Sequence, residues 1–148
     1  MDPISLLFIA IVSGAAAALE PTTKQAVKDA YEGLKTLIKR KWGNVGLESV
    51  ERDPQSAPRR EVLKEDLEKA KAGQDAEVLA KAQELARAVE AHAPQAAQAA
   101  GISLAQLKAA GSVNIKNLIA EGAISISGVA ADKDINVEGL RSGNPTGR

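Results

Sequence analysis

Glu65 and Asp66 form a carboxylate pair, and His92 is the chain's single histidine. Paired carboxylates can divide acid and base roles, and an imidazole can titrate near neutrality or ligate a metal. Neither has the company such chemistry needs. Glu65 and Asp66 lie between Lys64 and Lys69, which is the pattern of a solvated helix face with i,i+4 pairs. His92 has no cysteine partner, and a lone histidine is a poor metal site. It falls near the end of a predicted helix, where a cation is favoured. The chain has no cysteine at all, which removes disulfides, thiolate zinc sites and cysteine nucleophiles together. No G-x-x-x-x-G-K-[ST], G-x-S-x-G or H-E-x-x-H occurs. The expectation is a protein that is not an enzyme and holds no cofactor or metal. Its chemistry is then that of burial and assembly, and two stretches carry it.

The first runs from Pro3 to Leu19, PISLLFIAIVSGAAAAL, with no charge between Asp2 and Glu20. As a helix it spans roughly 25 Å at 1.5 Å per residue, slightly less than a bilayer core. It is apolar all round, so it must be buried in protein, in lipid, or in each at different times. A signal peptide would want a basic leading region, and only Asp2 precedes the run. A permanent anchor is weakened by the alanine and glycine of the second half, which insert poorly. A helix packed in a bundle is the plainer reading, and its sharper form is a helix packed at rest and inserted on activation. The inserting residues would be Ile4, Leu6, Leu7, Phe8, Ile9, Ile11 and Val12.

The second is a repeat of eleven residues: SVNIKNLIAEG, AISISGVAADK and DINVEGLRSGN. Val113, Ile124 and Ile135 align, as do Ile115, Ile126 and Val137, and then Leu118, Val129 and Leu140. The alternation within each period predicts a strand, and the fixed period predicts stacked rungs. Rungs stacked at about 4.8 Å would place like side chains in ladders. Three rungs leave two open edges, which another copy or another protein with the same motif could cover. A meander or a solenoid stub docked on the helices satisfies the same pattern.

The elements between must position these two. Glu20-Pro21 ends the first helix, and Pro21 with Thr22 or Thr23 suits the start of a second. Val27, Ala30, Tyr31, Leu34, Leu37 and Ile38 give that helix an apolar face up to Trp42. Lys39, Arg40 and Lys41 close it and could face an anionic membrane surface. Val45, Leu47 and Val50 predict a short extended piece tucked against the bundle. A third helix is predicted from Ser56 to Ala72 with Gly73 as its cap, and a fourth from Asp75 to Ala93. An alanine-rich piece and a short helix from Ser103 to Ala110 follow. The predicted fold is mainly α: a small bundle of about four helices over 1–110, a β repeat over 112–143, solenoid-like or cross-β, and a flexible tail over 144–148.

At 148 residues the chain is one small domain plus an appendage, or two very small units. Its 19 Lys/Arg balance 19 Asp/Glu, so bulk charge selects no partner. Residues 20–43 are locally basic, with six Lys/Arg against three acids. Phe8, Tyr31 and Trp42 are the only aromatics, too few for a stacking platform, and nucleic acid is not expected.

The MDP-I-S-L apolar helix, the P-T-T-K-Q-A-V-K-D-A-Y-E-G-L-K helix after it and the C-terminal β motif together resemble the Bell-type domains, bacterial analogues of the fungal HeLo and HELL cell-death domains. The resemblance implies a membrane-active first helix, an amyloid-signalling motif over 112–143, and a receptor partner whose own motif templates it. The I-S-I-S-G and I-N-V-E-G segments are similar to the RIP homotypic interaction motif. Three regular repeats depart from a single or double amyloid motif, which keeps a solenoid stack open. The function implied is a cell-death or defence effector, cytoplasmic at rest and membrane-associated once assembled. The alternative is a homo-oligomeric or filament-forming scaffold, with the first helix as an oligomer contact or anchor.

Overall fold

The computed structural model describes residues 1–43 and 45–120. Among the described residues, six named α-helices and one 3₁₀ turn are arranged around a first α-helix. Helix α1 (Pro3–Ala18) is followed by α2 (Gln25–Trp42), α3 (Leu47–Arg52), α4 (Ala57–Lys69), the 3₁₀ turn Ala72–Gln74, α5 (Ala76–His92), α6 (Pro94–Ala99) and α7 (Leu104–Ser112). A further helical stretch covers 115–120.

Helix α1 packs against every other one of these named elements, α5 above all. This is why it is apolar on all sides: a helix enclosed by its neighbours has no face left for water. Eleven of its sixteen residues are buried, including Leu6, Leu7, Ile9, Ile11 and Val12. The alanine- and glycine-rich second half has a packing reason as well. A Cβ on Gly14 would sit 2.6 Å from Leu85 Cδ2, so only hydrogen fits where α5 crosses.

Capping fixes most helix starts where the sequence places them. Asp2 accepts from Ser5 N–H at 2.8 Å, and Asp75 from Val78 N–H at 3.0 Å. Ser56 caps α4. Ser103 and Gln106 form a reciprocal capping box at α7.

Three local expectations are corrected, and one unassigned piece takes a form. Helix α2 does not begin at Pro21 or take its cap from threonine; Lys24 stands at its N-cap with no side-chain bond. Thr23 Oγ1 donates instead to the Ala17 carbonyl, closing the end of α1. The stretch after residue 44 is not extended: Gly46, at φ 82°, turns the chain into α3. Val45, Leu47 and Val50 are buried, as their pattern required. Gly73 does not cap α4. Lys71 takes the left-handed position at φ 57°, and Gly73 is needed where a Cβ would come within 2.8 Å of Pro3 Cβ. The alanine-rich piece after Pro94 is itself a helix, α6.

The first period of the repeat also departs from a strand. Asn114 Oδ1 accepts from Asn117 N–H at 3.1 Å, and 115–120 are helical. The reason is tertiary: the helical turn buries Leu118, whereas an isolated strand would have no partner here. The second and third periods lie outside the described residues, and with them Ile124, Ile126, Val129, Ile135, Val137 and Leu140.

Candidate functional site

The site is the socket that holds α1. Of the seven residues expected to enter lipid, Leu6, Leu7, Ile9, Ile11 and Val12 are 0–4% exposed. Ile4 and Phe8 are half-buried and pack on the core edge. The structure brings all seven together on one helix within the protein interior. Among the described residues no helix is long and apolar enough to cross a membrane.

The polar groups of α1 are satisfied almost wholly within the helix. Ser13 is fully buried, and its hydroxyl donates to the Ile9 carbonyl at 2.6 Å and the Ala10 carbonyl at 3.3 Å. Ser5 Oγ donates to Asp2 Oδ2 at 3.0 Å. Among the described residues, the one hydrogen bond from another side chain is Thr23 to Ala17, at the last turn. What holds α1 in place is therefore mainly apolar packing, which is non-directional, with the Thr23–Ala17 bond as a polar tie at its end.

Around the socket, polar ties join the other helices to one another. Tyr31 hydroxyl donates to Glu51 Oε2 at 2.7 Å, linking α2 to α3. Lys35 Nζ completes this group at 2.8 Å from Glu51 Oε2. Burial, then the Glu51 bond and charge, pushes the Tyr31 hydroxyl far above its ordinary pKa. The Glu51 bond raises Lys35, against a smaller opposing effect of burial. The sequence marked Tyr31 only as an apolar-face residue; a lone tyrosine on such a face, which must place its hydroxyl, is the available signal.

The basic group at the end of α2 is not uniformly free. Lys41 Nζ lies 2.8 Å from Asp75 Oδ2 and 3.2 Å from Glu77 Oε1, tying α2 to the start of α5. Bonds to Asp75 and Glu77 raise its pKa. Lys39 Nζ is 3.8 Å from Glu48 Oε2. Arg40 is exposed beside Lys81 in a shallow cleft between α2 and α5. Lys39 and Arg40 are exposed, while Lys41 ties α2 to α5.

Three of the expected assembly residues are described. Val113 and Ile115 are partly buried against the core, and Leu118 is 2% exposed. Their root is held by two α5 side chains that no sequence pattern marks. Gln83 Nε2 donates to the Val113 carbonyl at 2.7 Å and the Ala110 carbonyl at 3.3 Å. Arg87 Nε donates to the Gly111 carbonyl at 2.6 Å. The described residues contain no cluster of three or more His, Cys, Asp or Glu placed to hold a metal.

A family model described as the Het-E N-terminal domain matches residues 1–143. No curated protein and no solved structure matches the chain.

Proposed function

The chain belongs to the Het-E N-terminal domain family, related to the fungal HeLo-type cell-death domains, and from that premise we propose that it is a membrane-acting cell-death or defence effector. In this reading α1 is stored in the bundle and released to an anionic bilayer when the C-terminal repeat assembles. The observation that carries the reading is the self-contained hydrogen bonding of a wholly apolar helix at the start of the chain. Such a helix can exchange a protein surround for a lipid one without exposing an unpaired polar group. At sixteen residues it is about 24 Å long, short of a core of about 30 Å. Several copies, gathered by the repeat, would thin the bilayer around them. Lys39 and Arg40 would rest on anionic headgroups. A Bell-type arrangement, with a receptor carrying a matching β motif as trigger, fits this sequence of events.

A second reading is favoured by the centrality of α1: a non-enzymatic, self-assembling scaffold in which the helix is only core. Deleting residues 1–20 does not separate the two, because α1 packs on every other named element and its loss removes the core in either case. Dye release does separate them. Anionic liposomes should leak when exposed to assembled full-length protein, and Phe8→Asp, at a half-buried position, should abolish the leak. Intact liposomes with both soluble and assembled protein would reject the effector and leave the scaffold.

A further inference from the structure

Helix α5 has two opposed duties. On one face Leu85 meets α1 at Gly14 and also approaches the place where Tyr31 closes the same crossing. Gln83 and Arg87 lie two residues to either side of Leu85, about 200° round the helix. Being four apart, they share one face. From there they reach the carbonyls of Ala110, Gly111 and Val113.

Those carbonyls form the end of α7 and the start of the repeat. Helix α7 stops at Ser112, and Val113 is extended at φ −69°, ψ 147°, so the last turn must find partners outside the helix. Gln83 and Arg87 supply them. The approach is close: a Cβ on Gly111 would lie 3.0 Å from Arg87 Cγ. Beyond this point Val113, Ile115 and Leu118 complete the attachment by burial. The root is thus fastened by two side chains of the helix that grips α1 and by a short apolar seam on the core.

We infer that α5 couples the root of the C-terminal segment to the seating of α1, with Gln83 and Arg87 as the latch between them. Freeing the carbonyls of 110–113 lets α7 lift from α5. Helix α5 then loses its outer support and relaxes its hold at Gly14. The consequence for membranes rests on the effector reading above, but the coupling is a property of the fold and is tested without lipid.

Hydrogen exchange of the full chain in buffer provides the test, comparing wild type with Gln83→Ala/Arg87→Ala. Amides of α7 and of α1 around Gly14 should exchange faster together, by about tenfold or more, as expected for loss of charge-assisted and neutral hydrogen bonds. Helix α4, which packs on α1, α3 and the 3₁₀ turn, is the internal reference and should hold its rate. Acceleration in α7 alone would overturn the coupling. So would equal acceleration in α7, α1 and α4, which would make the pair ordinary fold determinants. Should the double variant not fold, Leu118→Ser decides, since it peels the same root without altering α5. It must loosen α7 and α1 and spare α4, and any other pattern rejects the inference. Coupled exchange in a protein that leaks no dye would reject the effector reading and retain the latch.

Discussion

Gly14 and Leu85 are so close that a Cβ on the glycine would stand 2.6 Å from Leu85 Cδ2, and 3.0 Å from Tyr31 Cδ1. Helices α1, α2 and α5 therefore meet at a point with no spare volume. Gly33, in the middle of α2, has nothing within 4 Å of the same position and is exposed. The two glycines should respond oppositely. Gly33→Ala removes backbone freedom at no steric cost and should stabilise the bundle by about 0.5–1 kcal/mol. Gly14→Val should destabilise it by about 1–3 kcal/mol through overpacking. Urea midpoints with unchanged slopes measure both. A Gly14→Val protein as stable as wild type would mean that the crossing is looser than described.

That contrast also marks what the sequence alone could and could not convey. The uncharged Pro3–Leu19 run announces burial on every side, and the periodicity of α2 and α5 announces their inward faces. The starts at Ser56, Asp75 and Ser103 are legible because a cap acts on its own next turn. Gly73 was not, because it is glycine for the sake of Pro3, seventy residues away in the chain. The same holds for Gln83 and Arg87: a polar residue on an outward helix face looks solvated until its acceptor, fixed only by tertiary packing, is known. The 115–120 helix illustrates the converse. The V-x-I alternation of 113–115 fits a strand, and Val113 is extended, but from Ile115 on the chain turns helical and Leu118 finds a buried place on the bundle.

Asp75 gives a stability term that acid should remove. Burial alone would raise its pKa, but Lys41 and the N–H groups of Val78 and Glu77 hold it below the ordinary value. A depressed folded-state pKa contributes stability that is whole above the unfolded value, about 3.9, and is lost as pH falls through the lower folded value. Asp75→Asn keeps a competent cap and cannot titrate. Wild type should be the more stable of the two at pH 6, and the gap should close as the pH falls below about 4. A gap that stays constant over that range would show that Lys41 and the α5 terminus do not favour the charged carboxylate.

Tyr31 acts at the opposite end of the scale. Its pKa is raised, by burial first and the Glu51 bond next. Its contribution is therefore whole below the ordinary tyrosine value of about 10 and is lost as pH climbs toward the folded value. Lys35, also raised, loses its contribution in the same direction. Tyr31→Phe removes a hydrogen bond to a charged group and should cost about 1.5 kcal/mol at pH 7. Between pH 9 and 11 it should lose less stability than wild type, retaining only the Lys35 share. Parallel declines in chemical-denaturation midpoint would argue that the Tyr31 hydroxyl is not held neutral by its surroundings.

Leu118 belongs at once to the bundle core, where it is 2% exposed, and to the third column of the repeat with Val129 and Leu140. Ile126 belongs to the repeat, in the second column with Ile115 and Val137, and lies outside the described residues. The two positions separate folding from assembly. Leu118→Ala should lower bundle stability by about 2–5 kcal/mol, the range for a buried leucine. If residue 126 serves assembly rather than folding, Ile126→Asp should leave the denaturation midpoint of the soluble protein unchanged. If the repeat drives association, Ile126→Asp should sharply reduce the sedimentable fraction, since a charge in a dry ladder is costly. Ser125→Asp, one residue away and so on the opposite face of a strand, should reduce it less. Equal sedimentation of wild type, Ile126→Asp and a chain ending at Gly111 would show that residues 112–143 do not drive association, and the trigger assigned to the effector would have to lie elsewhere in the chain.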